Sequence, residues 1–128
     1  MKAPRGFAGF PAGKAASTPL PNLFFSDLLP AIDHLGELKL TLYAFWALGR
    51  QRGTRRCLRL ADLRQDEHLL SALETSGLPA LAALDEALER TVARGTLLKV
   101  AAQDKAEWTY YLLNSPRGRA AAEALEQG

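Results

Sequence analysis

The segment RGTLLKVAAQDKAEWTYYLLN, residues 94–114, constrains the fold more than any other stretch of the chain. Two apolar runs flank a short polar stretch, Ala102 to Lys105, and Gly95 precedes the first run. This pattern predicts a β-hairpin appended to whatever ends at Gly95. Leu98 and Val100 share one face of its first strand, and Trp108, Tyr110 and Leu112 share one face of its second.

Upstream, the periodicity is helical. LPALAALDEALERTVARG places Leu81, Leu84, Leu88 and Val92 inward and Asp85, Glu86, Glu89, Arg90 and Arg94 outward, and Gly95 ends it. GELKLTLYAFWALGRQRG is apolar around much of its circumference. Its main stripe is Leu35, Leu38, Leu42, Phe45 and Gly49, with Lys39, Tyr43, Trp46 and Arg50 beside it and Leu40, Ala44 and Ala47 as a third. Such a helix is central to the core or part of an oligomer contact, and Gly53 is its expected stop. Between these helices lies a short strand, Cys57 to Leu60. A helix capped by Asp62 or Asp66 follows, burying Leu63, Leu69, Leu70 and Leu73 and closed by Gly77.

The ends are less regular. Residues 1–17 are rich in Gly, Ala and Pro and read as an extended arm, with Phe7 and Phe10 as anchors. PNLFFSDLLPAIDHL gives a short helix capped by Asn22, with Phe24, Phe25, Leu28 and Leu29 as its apolar side; Pro30 ends it or opens a new turn. At the other end Ser115 is the N-cap and Pro116 the first residue of a last helix. The order helix, short strand, helix, helix, strand, strand is that of a winged helix-turn-helix. The expected fold is mainly α with a small β-hairpin wing, with extra helical elements at both ends, over residues 18–128.

Residue chemistry narrows the function. The two histidines, His34 and His68, lack Cys or carboxylate partners at metal-ligand spacing, and there is no phosphate loop, nucleophile elbow or Cys-plus-His arrangement. The carboxylate pairs Asp85–Glu89 and Glu123–Glu126 are explained by solvated helix faces. The expectation is a non-enzyme without cofactor or metal. No apolar run approaches the roughly 18–20 residues of a membrane span, so no membrane partner is expected. Lys2 and Arg5 have no apolar core behind them of the kind a secretory signal needs. The lone Cys57 forms no internal disulfide, which fits a reducing cytoplasm.

The net charge of +2 does not imply nucleic-acid binding. Its distribution is more informative: Arg50, Arg52, Arg55, Arg56, Arg59 and Arg64 form a basic run, which is either a solvated loop or a set of phosphate contacts. Arg117 and Arg119 are candidates to extend it. The helix that would read bases offers Ala80, Ala83, Asp85 and Glu86 early on, none of them a base-reading donor. The wing tip, Gln103, Asp104 and Lys105, is neutral in sum. At most non-specific DNA contact is expected. Phe7, Phe10, Phe24, Phe25, Tyr43 and Trp46 are either core residues or an association surface. The aromatic arm and the all-round apolar helix favour a homo-oligomer.

STPLPNLFFSDLLPAIDHLGELKLTLYAFWAL, the basic linker, RGTLL and the aromatic strand ending YYLLN together resemble the N-terminal domain of DnaD-like bacterial replication proteins, from about Thr18 to Arg119. LPNLFFSDLLP is the most distinctive part. The resemblance implies a role in replication initiation or restart, through self-association and docking of primosome proteins. It places Phe24, Phe25, Leu28 and the Leu38 to Trp46 helix in the association region. It also implies that DNA binding resides largely in a separate helical C-terminal domain, which these residues do not include. The alternative is a winged-helix transcription regulator that binds DNA as a dimer.

Overall fold

A mainly helical chain surrounds a three-stranded antiparallel sheet in the computed structural model, which describes residues 6–53, 55–74, 78–102 and 105–127. Lys2, Arg5, Gly77 and the tip residues Gln103 and Asp104 lie outside the described residues. The first helix, α1, is a π-helical turn over Phe24–Leu28 continued by an α-helical turn over Leu29–Ala31. Asn22 is already helical and is not its cap; the Phe24 N–H instead donates to the Pro21 carbonyl at 2.9 Å. Pro30 sits inside the last turn, and the extended backbone of Ile32 ends it.

Helix α2 spans Leu35–Gly49. His34 is its N-cap: Nδ1 accepts from the Glu37 N–H at 3.1 Å, satisfying one of the donors the first turn leaves open. The helix stops at Gly49 with Arg50 as C-cap, four residues short of Gly53, whose positive φ belongs to the loop beyond. Strand β1 is only Leu58–Arg59. The single helix expected next is broken into α3, Leu60–Leu63, and α4, Glu67–Leu73. The break falls at Asp66, which caps α4 through its Oδ1, 3.1 Å from the Leu69 N–H. Helix α5 spans Ala80–Arg94. It ends in a Schellman turn, with Gly95 at φ 92° and the Gly95 and Thr96 N–H groups donating to the Val92 and Thr91 carbonyls at 3.0 Å.

Strands β2, Leu97–Ala101, and β3, Thr109–Leu113, form the hairpin in the register Leu97↔Leu113 to Ala101↔Thr109. β1 adds to the far edge of β3, giving the order β1-β3-β2. Asn114 zips the base of the hairpin to the end of α5, donating from Nδ2 to the Gly95 carbonyl at 2.8 Å. Helix α6, Pro116–Glu126, starts as expected, with Ser115 Oγ accepting from the Gly118 N–H at 3.0 Å.

Both sheet faces are covered, which the alternation of the strands requires. Leu58, Leu97 and Tyr111 pack on α2, α4 and α5, whereas Val100 and Leu112 pack under Ala121 and Ala122 of α6. Leu98 and Tyr110 lie on this second side as expected. Trp108 does not: it belongs to a 3₁₀ turn, Ala106–Trp108, and is exposed. Helix α6 is seated closely enough that a Cβ on Gly118 would stand 1.7 Å from the Leu113 carbonyl oxygen. Gly118→Ala should therefore lift the helix off β3 and cost about 1–3 kcal/mol, read as a lower urea midpoint.

Candidate association surface

The side of α2 that enters the core is not its main apolar stripe. The buried residues are Glu37, Leu40, Thr41, Ala44 and Leu48. This face is mostly small, and it meets an equally small face of α5 carrying Ala83 and Ala87. Small residues let two helix backbones approach closely, so the packing of α2 on α5 selects this side. Leu35, Leu42 and Trp46, at steps of seven and four, are consequently turned outward and are 58%, 38% and 43% exposed. Leu38 and Phe45 flank them, half-buried. The same selection corrects two positions on α5. Leu81 is exposed rather than inward, and Ala83 is core rather than available to a ligand.

The buried face holds one carboxylate, which meets an arginine at its edge. Glu37 is fully buried, and its two oxygens are engaged by Nε and Nη2 of Arg94, the latter contact at 3.1 Å. Arg94 thus reaches back from the end of α5 to the first turn of α2. Hydrogen bonding to this carboxylate raises the affinity of its guanidinium for the proton. The patterning of α5 alone assigns Arg94 to solvent; nothing local marks its partner 57 positions away.

The six aromatic candidates separate. Phe24 is core: it is 3% exposed, and its ring stands edge-on to Phe25 and Phe45 at 5.1 and 6.0 Å. It is removed from the candidate surface. Phe25 is half exposed, and Phe7 and Phe10 are exposed against each other at 5.0 Å. Tyr43 is half-buried, and its hydroxyl donates to Asp66 Oδ2, so it braces α2 against the α4 cap. Trp46 is open to solvent, with the Arg50 guanidinium 4.5 Å over its ring.

The Tyr43–Asp66 contact leaves an electrostatic signature. The hydrogen bond from Tyr43 holds the Asp66 carboxyl below the ordinary range, helped by the Leu69 N–H and opposed by burial. Burial, then the Asp66 contact, pushes the Tyr43 hydroxyl well above its ordinary value. A lowered carboxyl favours the folded state above the unfolded pKa and loses that advantage as pH falls through the folded one. A raised phenol favours it below about pH 10 and loses the advantage as pH rises further. Tyr43→Phe should cost about 1 kcal/mol near neutrality, with a gap to wild type that narrows towards pH 2 when urea midpoints are compared across pH.

The arginine run is not one patch. Arg64 pairs with Asp85 at 2.9 Å, Arg59 lies 5.4 Å over the Trp108 ring, and Arg50 covers Trp46. Arg56 turns towards a cleft of about 340 Å³. Arg52 and Arg55 are exposed. The outward side of α5 offers Leu81, Ala82, Asp85 and Glu89, and Glu86 lies within 3.7 Å of Arg90 and 3.3 Å of His34. The carboxylates on that side repel phosphate, and Arg90 lies beside one of them, Glu86. No helix among the described residues is long and apolar enough to cross a membrane. In comparisons with known proteins, the chain matches no family model, no curated protein and no solved structure.

Proposed function

We propose that this chain is a winged-helix module that self-associates and docks partner proteins during bacterial replication initiation or restart, in the manner of the N-terminal domain of DnaD-like proteins. The winged-helix part of this reading is supported by the element order and by a sheet ordered β1-β3-β2 with a hairpin at its edge. The observation that carries the association part is the outward stripe of α2. A helix that turns Leu35, Leu42 and Trp46 to solvent while burying Glu37 and Thr41 on its other side has an apolar surface beyond what its own core uses. Two copies can bury one another's stripe in a two-fold contact, in which the same patch serves both sides. The exposed Phe7 and Phe10 of the arm are available to the same assembly.

DNA plays a lesser part in this reading. Arg52 and Arg55 remain available for non-specific phosphate contact, while the acidic outward side of α5 counts against the transcription-regulator alternative. Sedimentation at tens of micromolar tests the proposal: an oligomer that shrinks on deletion of residues 1–17 but not on charge reversal of Arg55 supports it. A monomer sinks it. Duplex binding that survives competitor DNA and depends on residues 80–90 would favour the regulator, whereas binding lost at moderate salt without sequence preference indicates phosphate contact alone.

A further inference from the structure

The geometry points to a binding site for a small apolar carboxylate in the cleft between the end of α2, the 18–21 segment and the start of α6. At about 340 Å³ the cleft is of a size that holds a small molecule. Pro19, Pro21, Phe45, Leu48 and Leu113 make apolar walls, and among the described residues the charged groups lining it are two cations, Arg56 and Arg117. Neither takes part in an ion pair among the described residues. Arg56 Nε is shut off from solvent and has no hydrogen-bond partner. A buried donor without an acceptor is costly, and native structures satisfy nearly all of them. The protein thus leaves this guanidinium incompletely satisfied, and Arg56 brings its charge to the cleft lining beside the apolar walls.

The walls decide which anion. Inorganic phosphate or a nucleic-acid backbone would shed its hydration against Phe45 and the prolines and gain little in return. A carboxylate fits the planar guanidinium fork, and an apolar tail displaces water from Phe45 and Leu48. Because residues 18–21 form one wall, an occupant ties the base of the arm to α2 and α6. The site is separate from the outward stripe, apart from their shared Phe45, and stands or falls independently of self-association.

Calorimetric titration of the 128-residue chain with phenylbutyrate, phenylbutanol and inorganic phosphate tests this site. Phenylbutyrate should bind saturably with a Kd of about 0.1–1 mM, and the alcohol and phosphate at least about tenfold more weakly. Arg56→Gln should weaken phenylbutyrate at least about tenfold by removing the charged fork. Gly49 lines the cleft, and a Cβ there meets only Thr18 Cγ2, at 3.8 Å. Gly49→Leu should therefore fill the space and abolish binding, and it keeps the test decisive if Arg56→Gln does not fold. Equal affinity for the alcohol, equal competition by phosphate, unchanged affinity in a folded Arg56→Gln chain, or no saturable binding by about 10 mM would each overturn the site.

Discussion

An Arg94→Met variant should melt roughly 5–10 °C below the wild-type chain. The effect comes from Glu37, which is fully buried and whose two carboxylate oxygens are held by this one guanidinium. Removing Arg94 strands the buried carboxylate without its counter-ion, although the exposed side of the pair admits water, whereas replacing both partners with apolar groups leaves no unpaired charge. The paired variant Glu37→Leu with Arg94→Met should therefore recover most of the loss. Thermal melts of the two single variants and the double variant measure the coupling directly. If the single Arg94→Met chain melts within about 3 °C of wild type, Glu37 is being satisfied by water and does not hold α2 in register on α5.

That pair also marks where the sequence stops being legible. Gly95 after an amphipathic run, alternating strands on either side of a polar turn, and Ser115-Pro116 are signals read within a few residues. Each specifies a boundary that the structure keeps to within a residue or two. The side of α2 facing the core is a different problem. Its circumference is apolar nearly all round, so periodicity favours the large residues Leu35, Leu38 and Leu42, while tertiary packing selects the small ones and Glu37. What decides is the close fit against Ala83 and Ala87 and a counter-ion 57 positions along the chain. The arginine run is similar. Its residues are neighbours in sequence, but Asp85 and the rings of Trp46 and Trp108 each draw one arginine to a different place. The orphaned Nε of Arg56 has no sequence signal, because it depends on where α6 and the 18–21 segment come to rest.

The outward stripe of α2 yields the second large effect, on assembly rather than on folding. Leu42→Glu should convert an oligomer at tens of micromolar into a monomer, while the folded monomer keeps its core. Leu42 is the better site for the charge because its side chain is partly exposed and lies opposite the buried face. Trp46 is less clean: its ring also supports Arg50 at 4.5 Å and Tyr43 at 5.7 Å, so truncating it disturbs contacts within one copy. In the proposed two-fold contact a carboxylate at this position is buried twice, once in each copy, facing its own like charge. The loss in association should exceed about a hundredfold. Linkage supplies a second readout. If self-association stabilises the wild-type fold, its melting temperature rises with protein concentration, and that of Leu42→Glu does not. A wild-type chain that oligomerises but whose sedimentation and concentration dependence survive Leu42→Glu would move the contact away from α2 to the arm. The remaining test would then fall on Phe7 and Phe10.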